Sequence, residues 1–491
     1  MRGAAVFAVA VAFALCTGAA QTGLAEPTPG DRRSPPETYR ARLSEDWSRL
    51  RVEACFDEPV PDRLYAGSGN AHKFLISPGI RHGGNTYMAA SGERSIAIDV
   101  RADTGCLGYT VAIRAAANAA QMRGRLTDDR TMLISPGLWL WRPDRLPDDA
   151  LLRFELPDGV SVSAPWPLLE RRGAITRYRL VDTPTQWPAR MAFGEFQVRE
   201  FDVGGARLRL AVVGSSPRAD DFAVSAWLDE AVRAVTTLYG RFPSPDTQLL
   251  VVPIGSQAEP VPWGEVLRGG NPAVHLFIDQ TRPSSEWSHD WTAVHELSHM
   301  LLPYISRRDA WLSEGFASYY QNVLRARAGL ISEADAWRKL VAGFERGRQD
   351  TRPGVSLTQA SREMRREHAF MRVYWSGAAI ALVGDVQLRQ LSDELSLDVA
   401  LSRLASCCLP SQRMWTAEEA VAKLDELTGQ HVLSALYAHW RGSDRFPDVS
   451  VLLENLGVIG QGSSLSLDDT APLAPLRRAL MTAPAGPKSR R

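Results

Sequence analysis

The segment His295-Glu296-Leu297-Ser298-His299 is followed along the chain by Trp311-Leu312-Ser313-Glu314-Gly315-Phe316-Ala317-Ser318-Tyr319-Tyr320, and these two stretches decide the fold. In an α-helix, residues i and i+4 lie on one face, so His295 and His299 can bind a single metal ion. Glu296 is rotated by about 100° around the helix axis from His295, so its side chain would lie beside such an ion instead of binding it. This offset suits a general base acting on water at the metal.

The two histidines are predicted to lie on one helix, over 287–302. Ser284 or Ser285 is available as its N-cap, and Pro303 ends it. The alternative is two surface histidines at a chance spacing. With nine histidines in 491 residues, such a motif is expected by chance on the order of once in a hundred such chains.

Glu314 is predicted in the first turns of a second helix that starts near Asp309. A buried carboxylate that faces two histidines is costly unless it is paired with a cation. Gly315, which has no side chain, allows another helix to approach closely. We therefore predict that His295, His299 and Glu314 bind one Zn²⁺ and leave a position open for water, as in catalytic zinc sites. The alternative is an ordinary surface glutamate on an amphipathic helix.

The two segments resemble the gluzincin metallopeptidases, in particular the glycyl aminopeptidase family and the wider aminopeptidase N superfamily. The resemblance extends to Val373-Tyr374-Trp375-Ser376-Gly377 and to residues 378–389. These are similar to the segment in which the family carries a tyrosine that stabilises the tetrahedral intermediate, which implies that role for Tyr374. A phenol with a pKa near ~10 stays protonated at neutral pH and can donate a hydrogen bond to an oxyanion.

The same resemblance implies a multidomain α+β fold, with an N-terminal β-sandwich, a thermolysin-like catalytic domain and a C-terminal α-helical domain. Ser396-Leu397-Asp398 and the closing helices are similar to the family's helical domain. The motifs cover roughly 205–460, and the stretch 45–205 fits by its general pattern of short alternating runs and turn residues.

Two departures from the family pattern concern specificity and domain content. Aminopeptidases of the superfamily carry a strand whose glutamate binds the free amine of the substrate. Here the corresponding place is expected at 267–273, which lacks a glutamate, and Glu265 is the nearby carboxylate. Zinc hydrolysis is predicted regardless, but aminopeptidase specificity does not follow. A PDZ-like module, which family members often carry after the helical domain, is not found.

The chain is predicted to consist of six consecutive parts. They are a signal peptide (1–25), a flexible linker (26–44), a β-sandwich domain (45–205), the zinc-bearing catalytic core (206–330), an α-helical domain (331–460) and a flexible tail (461–491).

The N-terminus indicates export. Arg2 supplies a positive charge, and residues 4–16 form an apolar run that is shorter than the ~20 residues needed to span a bilayer. Small residues follow, so cleavage after Ala20 or Ala25 is expected. The mature protein is predicted to be periplasmic or secreted, without a stable membrane span.

Export permits disulfides, and four cysteines remain after the signal peptide. Cys55 and Cys106 lie in the predicted β-domain and are expected to pair. Cys407 and Cys408 are adjacent, and they are either a strained vicinal disulfide, two buried thiols or partners of other cysteines. A cysteine zinc site is not supported, because no Cys-x-x-Cys pair exists.

Composition excludes several classes of protein. The 56 Lys and Arg residues balance 56 Asp and Glu residues, and 45% of residues are hydrophobic. A neutral chain of ordinary apolar content is neither largely disordered nor a nucleic-acid binder that works through a broad basic field. Oligomeric state does not follow from these values.

The predicted function is an exported, zinc-dependent, aminopeptidase-like metallopeptidase that acts on peptide or protein substrates. Glu296 acts as general base and Tyr374 as oxyanion donor. Two alternatives stay open, namely a zinc hydrolase of a non-peptide substrate and a degenerate zinc-containing binding protein. The intact Glu296 argues against the second, because a binding site needs no base.

Four further features are secondary candidates. The strand at Ala273–Ile278 is expected to align a peptide by edge pairing. On it, His275 either faces the cleft or is a simple strand residue. His368 and Arg372 are near Tyr374 in sequence and are candidates to point into the site.

Overall fold

The computed structural model describes residues 38–56, 60–82, 85–98, 105–119, 130–214 and 221–483. The described residues form one compact unit. The predicted signal peptide lies outside the described residues, as does most of the predicted linker. Among the residues that are described, no helix is both long and apolar enough to cross a bilayer.

In the first part of the chain, the described residues form short strands and a small α-helix, Ile113–Ala119 (α1). The strands are Tyr39–Leu43 (β1), Leu50–Phe56 (β2), Arg63–Tyr65 (β3), Leu75–His82 (β4), Asn85–Met88 (β5), Ala90–Ser91 (β6), Ser95–Ala97 (β7), Gly105–Val111 (β8), Thr131–Ile134 (β9), Leu151–Glu155 (β10), Ser161–Ser163 (β11), Leu168–Arg172 (β12), Ile175–Arg179 (β13) and Met191–Gly194 (β14).

These strands form an eight-stranded sheet in the order β12-β13-β10-β1-β2-β8-β4-β5 and two three-stranded sheets, β11-β14-β9 and β3-β7-β6. The large sheet and the sheet around β14 share one hydrophobic core. Within it, Phe154 of β10 and Phe193 of β14 meet edge to face, with ring centroids 5.6 Å apart. A disulfide joins Cys55 to Cys106 across paired β2 and β8, which confirms that prediction.

The prediction of a flexible linker as far as residue 44 is wrong at its end. β1 lies inside the large sheet, parallel to β10 and antiparallel to β2. Tyr39 and Ala41 are fully buried, and the arginines between and after them are exposed. This alternation has the period of two that marks a half-buried strand.

A five-stranded sheet follows. Its strands are Val198–Val203 (β15), Ala206–Val212 (β16), Asp246–Pro253 (β17), Trp263–Leu267 (β18) and Ala273–Ile278 (β19), in the order β15-β16-β17-β19-β18. β16, β17 and β19 are parallel, while β15 and β18 run antiparallel at the two edges.

Two expectations are corrected by this sheet. The predicted domain boundary at 205/206 falls within the hairpin of β15 and β16, where Gly204 and Gly205 have positive φ angles of 58° and 75°. The two glycines therefore turn the chain within one sheet instead of separating two domains. In addition, β19 lies between β17 and β18 and cannot pair with a substrate, because both of its edges are taken.

The other elements of the described residues are helices, apart from the short pair Val458–Ile459 (β20) and Ser466–Leu467 (β21). The helices are Asp221–Thr236 (α2), Ser284–His289 (α3), Thr292–Ser298 (α4), Ala310–Arg327 (α5), Glu333–Gln349 (α6), Leu357–Glu363 (α7), Phe370–Leu391 (α8), Leu397–Cys408 (α9), Ala417–Thr428 (α10), Val432–Trp440 (α11), Ser450–Asn455 (α12) and Ala474–Met481 (α13). The α+β character, with strands first and helices last, is as predicted.

The predicted loose tail from residue 461 is wrong as far as α13. Arg477 of α13 is 1% exposed and pairs with Glu333 of α6, with Nε 2.9 Å from Oε1. Leu480 is fully buried in the same core as the five-stranded sheet. The tail is therefore anchored by an apolar face and a buried cation, although its serine, proline and alanine content suggested neither.

Candidate active site

The predicted single helix over 287–302 is wrong, because the chain breaks between α3 and α4. Asp290 is extended, with φ −72° and ψ 153°. Its Oδ1 accepts a hydrogen bond at 2.7 Å from the main-chain N–H of Thr292, the first residue of α4. The short side chain of Asp offers the backbone this alternative to continuous helix. Arg325 of α5 donates from Nη2 to the carbonyl of His289 at 2.7 Å, at the end of α3.

Both ends of the predicted helix also differ in detail. Neither Ser284 nor Ser285 is the N-cap; Pro283 occupies that position without a side-chain hydrogen bond. A short 3₁₀ turn, His299–Leu301, follows α4. Leu302 is then extended before Pro303, so the proline ends the helical stretch as expected.

The three predicted metal ligands come together. Nε2 of His295 and Nε2 of His299 each lie 3.4 Å from Oε2 of Glu314. One ligand atom from each residue lies within 4.8 Å of the others. The side chain of His295 is 3% exposed, and that of Glu314 is 21% exposed. The helix spacing and the approach of α4 to α5 thus aim two imidazoles and one carboxylate at a common point.

Each histidine is oriented by a residue of α5 that the sequence prediction missed. Nδ1 of His295 is 2.7 Å from Oε1 of Gln321, and Nδ1 of His299 is 3.0 Å from Oγ of Ser313. A proton on Nδ1 that is donated to these acceptors leaves the Nε2 lone pair free for a metal. The signal was available for Gln321, since it follows Glu314 by two turns on the same helix face.

The charges at this point fit a bound divalent cation. Burial by itself raises the pKa of Glu314, but the imidazoles of His299 and His295 outweigh it, and the pKa falls well below its ordinary value. The carboxylate is therefore ionised. Two imidazole nitrogens and a carboxylate oxygen are the donor set of catalytic zinc sites, so these residues fit Zn²⁺.

Glu296 lies beside these three residues and against the edge strand β18. A β-carbon at Gly264 would overlap Cγ of Glu296 and would lie 3.0 Å from Oε1. Only glycine therefore permits this approach. Glu296 is 9% exposed, and burial raises its pKa above the ordinary value. A carboxylate of raised basicity in this position suits a general base.

Tyr374 of α8 completes the group. Its ring stacks on that of His295, with centroids 5.8 Å apart and an interplanar angle of 13°. Burial, together with the negative charges of Glu314 and Glu296, raises its pKa well above 10. The hydroxyl therefore keeps its proton and is a hydrogen-bond donor at all physiological pH values.

Glu265 and His275 do not belong to the site. Side chains alternate along a strand, and Glu265 follows Gly264, so it points to the opposite face of β18. There, Oε1 of Glu265 lies 2.6 Å from Nε of Arg190 and 3.5 Å from Nδ1 of His275. His275 is fully buried. Of the two alternatives left open for His275, the structure agrees with a simple strand residue that does not face the cleft.

The expected place of the amine-binding motif, 267–273, is also wrong. The strand that flanks Glu296 is β18, which ends at Leu267. The turn that follows packs on the β-domain, since a β-carbon at Gly269 would lie 2.7 Å from the carbonyl oxygen of Trp187. Neither His368 nor Arg372 enters the group. His368 is exposed, and Arg372 is buried against the carbonyls of Ser443 and Arg445.

The comparisons with known proteins agree with this geometry. Residues 283–380, which include α3, α4, α5 and Tyr374, match the family model described as M61 glycyl aminopeptidase. A search of curated protein sequences finds no significant match.

Solved structures share the fold at low sequence identity. An aminopeptidase N family protein from Idiomarina loihiensis aligns with TM-score 0.65 and 16% identity, over 86% of this chain and 78% of that chain. The M1 zinc metallopeptidase from Deinococcus radiodurans aligns with TM-score 0.51 and 15% identity, over 84% and 94%. Native yeast LTA4 hydrolase aligns with TM-score 0.51 and 13% identity, over 87% and 73%.

At 13–16% identity, the solved structures show a shared fold and no more. The family model, in contrast, matches the segment that carries the site. The matched segment and the shared fold together support a gluzincin peptide hydrolase that resembles the glycyl aminopeptidase family.

Proposed function

We propose that this protein is an exported zinc metallopeptidase whose general base is Glu296 and whose catalytic domain is thermolysin-like. One observation carries the proposal. The ligand atoms of His295, His299 and Glu314 converge within 4.8 Å, and Glu296 lies next to them against Gly264. A site that only bound zinc would need neither the basic carboxylate nor the glycine that admits it.

His295, His299 and Glu314 would hold one Zn²⁺. When bound, zinc supplies Lewis acidity toward the scissile carbonyl and lowers the pKa of water toward ~7. Gln321 and Ser313 keep both imidazoles in the tautomer that binds a metal.

The chain's own residues then move the protons. Glu296 takes a proton from the attacking water and delivers it to the leaving amine, for which its raised pKa is favourable. The Tyr374 hydroxyl donates a hydrogen bond to the oxygen on which negative charge develops. Its stacking on His295 holds it beside the metal ligands.

The edge strand β18 is proposed to align the substrate. It pairs with β19 on one side, and no other described strand pairs with it. An extended peptide can add to such an edge through main-chain hydrogen bonds. This role replaces the one expected for β19.

Specificity for a free N-terminus does not follow from β18. The strand's single carboxylate, Glu265, is turned away and engaged by Arg190. β18 therefore offers no free carboxylate to a substrate amine, and we propose that peptides with blocked N-termini are cleaved as well.

Export is proposed from the N-terminal segment and is supported by the cysteines. Cys55–Cys106 and Cys407–Cys408 both form disulfides, and the second is the vicinal disulfide, one of the three alternatives for that pair. Disulfides persist in oxidising compartments such as the periplasm or the extracellular space.

The test uses zinc-loaded protein and a panel of fluorogenic peptides with free and blocked N-termini. We expect cleavage that a chelator abolishes and Zn²⁺ restores. Glu296→Gln should reduce kcat at least about 100-fold and leave zinc content unchanged. Glu286→Gln, at a 41% exposed side chain on α3, is the matched control and should retain activity.

Two results would overturn the proposal. One is normal turnover by Glu296→Gln. The other is a zinc-loaded protein that cleaves no peptide, which would favour a zinc hydrolase of another substrate or a zinc-containing binding protein.

A further inference from the structure

Trp291 is an aromatic residue whose place in the chain neither helix capping nor core packing explains. It occupies the N-cap position of α4 without a side-chain hydrogen bond to the helix. Ser, Thr, Asp and Asn are preferred there because their side chains accept a main-chain N–H, and Asp290 supplies such an acceptor to Thr292 instead. At 39% exposed, Trp291 is also the most exposed tryptophan of the described residues. A residue type that the fold does not require points to a role in function.

The helix places Trp291 next to the proposed zinc ligands. Trp291 precedes His295 by four residues, as His295 precedes His299. At this spacing the three side chains follow one another along one helix face. The ring of Trp291 meets that of His295 edge to face, with centroids 5.3 Å apart. Because Nε2 of His295 is turned to Glu314, Trp291 borders the metal position.

Aromatic rings continue beyond His295 on α8. Tyr374 stacks on His295, and Phe370, one turn earlier on α8, meets Tyr374 edge to face with centroids 6.5 Å apart. Phe370 is half-buried. The row Trp291, His295, Tyr374 and Phe370 therefore runs past the metal position with a partly accessible aromatic ring at each end. Such rings favour contact with an apolar group, because both surfaces then leave water.

The charges along this row do not favour a basic substrate side chain. Glu314 and Glu296 exert the strongest charge effects on Tyr374, and the next is that of the cation Arg365. One Zn²⁺ would balance the two carboxylates. The carboxylate of Asp290, beside Trp291, is bonded to the start of α4. A large apolar side chain therefore suits this part of the site better than lysine or arginine.

We propose that Trp291 determines substrate specificity by contacting a large apolar side chain next to the scissile bond. The inference rests on the proposed function, because it concerns the peptide that the zinc site would cleave. The exposed face of the indole ring would cover the side chain of a residue such as phenylalanine or leucine. Glycine or alanine at the same place would leave the ring in water.

The test measures binding of hydroxamates to zinc-loaded protein by calorimetry, which does not depend on turnover. One pair, the N-blocked hydroxamates of phenylalanine and alanine, places the side chain on the acyl side of the scissile bond. A second pair, benzylsuccinyl and methylsuccinyl hydroxamate, places it on the amine side. In at least one pair we expect the benzyl compound to bind at least about tenfold more tightly than the methyl compound.

Trp291→Ala should reduce this ratio of affinities to below about threefold, because the apolar surface that the benzyl group covers is gone. Trp291→Phe keeps an aromatic ring and should retain most of the ratio. If Trp291→Ala does not fold, Trp291→Ser provides the hydroxyl that an N-cap favours and should show the same loss. The matched control is Phe222→Ala, which removes a 73% exposed aromatic ring from the first turn of α2 and should leave both ratios unchanged.

A Trp291 that merely supported His295 would, when replaced, weaken both members of a pair equally. An unchanged ratio in Trp291→Ala or Trp291→Ser would therefore overturn the proposal, as would equal affinities for the benzyl and methyl compounds in both pairs. Because the ratio comes from binding alone, failure here is distinct from failure to cleave peptides.

Discussion

Gly315 of α5 and Gly377 of α8 lie in direct contact, and neither position has room for a side chain. A β-carbon at Gly315 would overlap Cα of Gly377 and would lie 2.8 Å from the nitrogen of Ala378. Glu314 precedes the first glycine, and Tyr374 lies one turn before the second. The close crossing of the two helices therefore places Tyr374, the proposed oxyanion donor, near Glu314, the proposed metal ligand, and Gly315 permits this close approach because it has no side chain.

Gly315→Ala should force α5 and α8 apart. Overpacking of this kind costs about 1–3 kcal/mol, partly offset by about 1 kcal/mol of helix propensity. We expect a lower free energy of unfolding in urea and a reduced kcat, since Tyr374 moves relative to Glu314. Gly442→Ala is the control, because no atom lies within 4 Å of a β-carbon there. Unchanged kcat in a folded Gly315→Ala protein would show that the crossing does not position Tyr374.

Sequence reasoning identified the residues whose relation is set by local helix geometry. His295 and His299 share a face because of their spacing, and Glu314 follows in the next helix with its glycine beside it. The break at Asp290 was missed, because the apolar residues on both sides suit one continuous helix. The competing factor is a single side-chain hydrogen bond to Thr292.

Features that depend on distant pairing were predicted less well. β18 is recognisable only from its pairing with β19 and from the contact of Gly264 with Glu296. From the sequence alone, the substrate-aligning strand was therefore expected at Ala273–Ile278, whereas the strand beside Glu296 is Trp263–Leu267. Ser313 was missed for a similar reason, since its partner depends on how α5 is rotated against α4.

Gln321→Leu should weaken zinc binding. The substitution removes the acceptor that holds Nδ1–H of His295, and loss of such an outer partner typically costs 10- to 100-fold in metal affinity. Competition with a chromophoric chelator measures the affinity directly. Gln321→Glu keeps an acceptor oxygen and should retain most of it.

The control for this substitution is Gln349→Leu, at the exposed end of α6. It should leave zinc affinity unchanged. Equal affinities for the wild type and Gln321→Leu would mean that His295 is held by its packing against Trp291 and Tyr374 alone.

Asp398→Ala should destabilise the helical part of the chain. The carboxylate accepts hydrogen bonds from Tyr320 at 2.9 Å, Arg327 at 2.9 Å and Arg389 at 3.0 Å. Without Asp398, Arg327 has no carboxylate partner among the described residues, whereas Arg389 keeps Asp385 at 2.9 Å. Removing one partner of a buried ion pair costs about 3–5 kcal/mol. Denaturant unfolding measures the loss, and the exposed Asp393→Ala is the matched control. A loss equal to that of Asp393→Ala would contradict the role assigned to the network.

Gly264→Ala should impair catalysis without removing zinc. The added methyl group would overlap Cγ of Glu296 and lie 2.9 Å from Cδ, so the carboxylate of Glu296, the proposed general base, must move away from β18. His295, His299 and Glu314 are held by α4 and α5 and should bind zinc as before. A displacement of about 1 Å at a reacting group costs on the order of 100-fold in rate, so kcat should fall by that order in the peptide assay.

Gly108→Ala adds the same methyl group to a strand of the β-domain, where the nearest atom is 3.8 Å away, and should leave kcat unchanged. If Gly264→Ala retained full kcat, Glu296 would have room that the structure does not show. If it lost zinc instead, β18 would be supporting the metal ligands rather than the base.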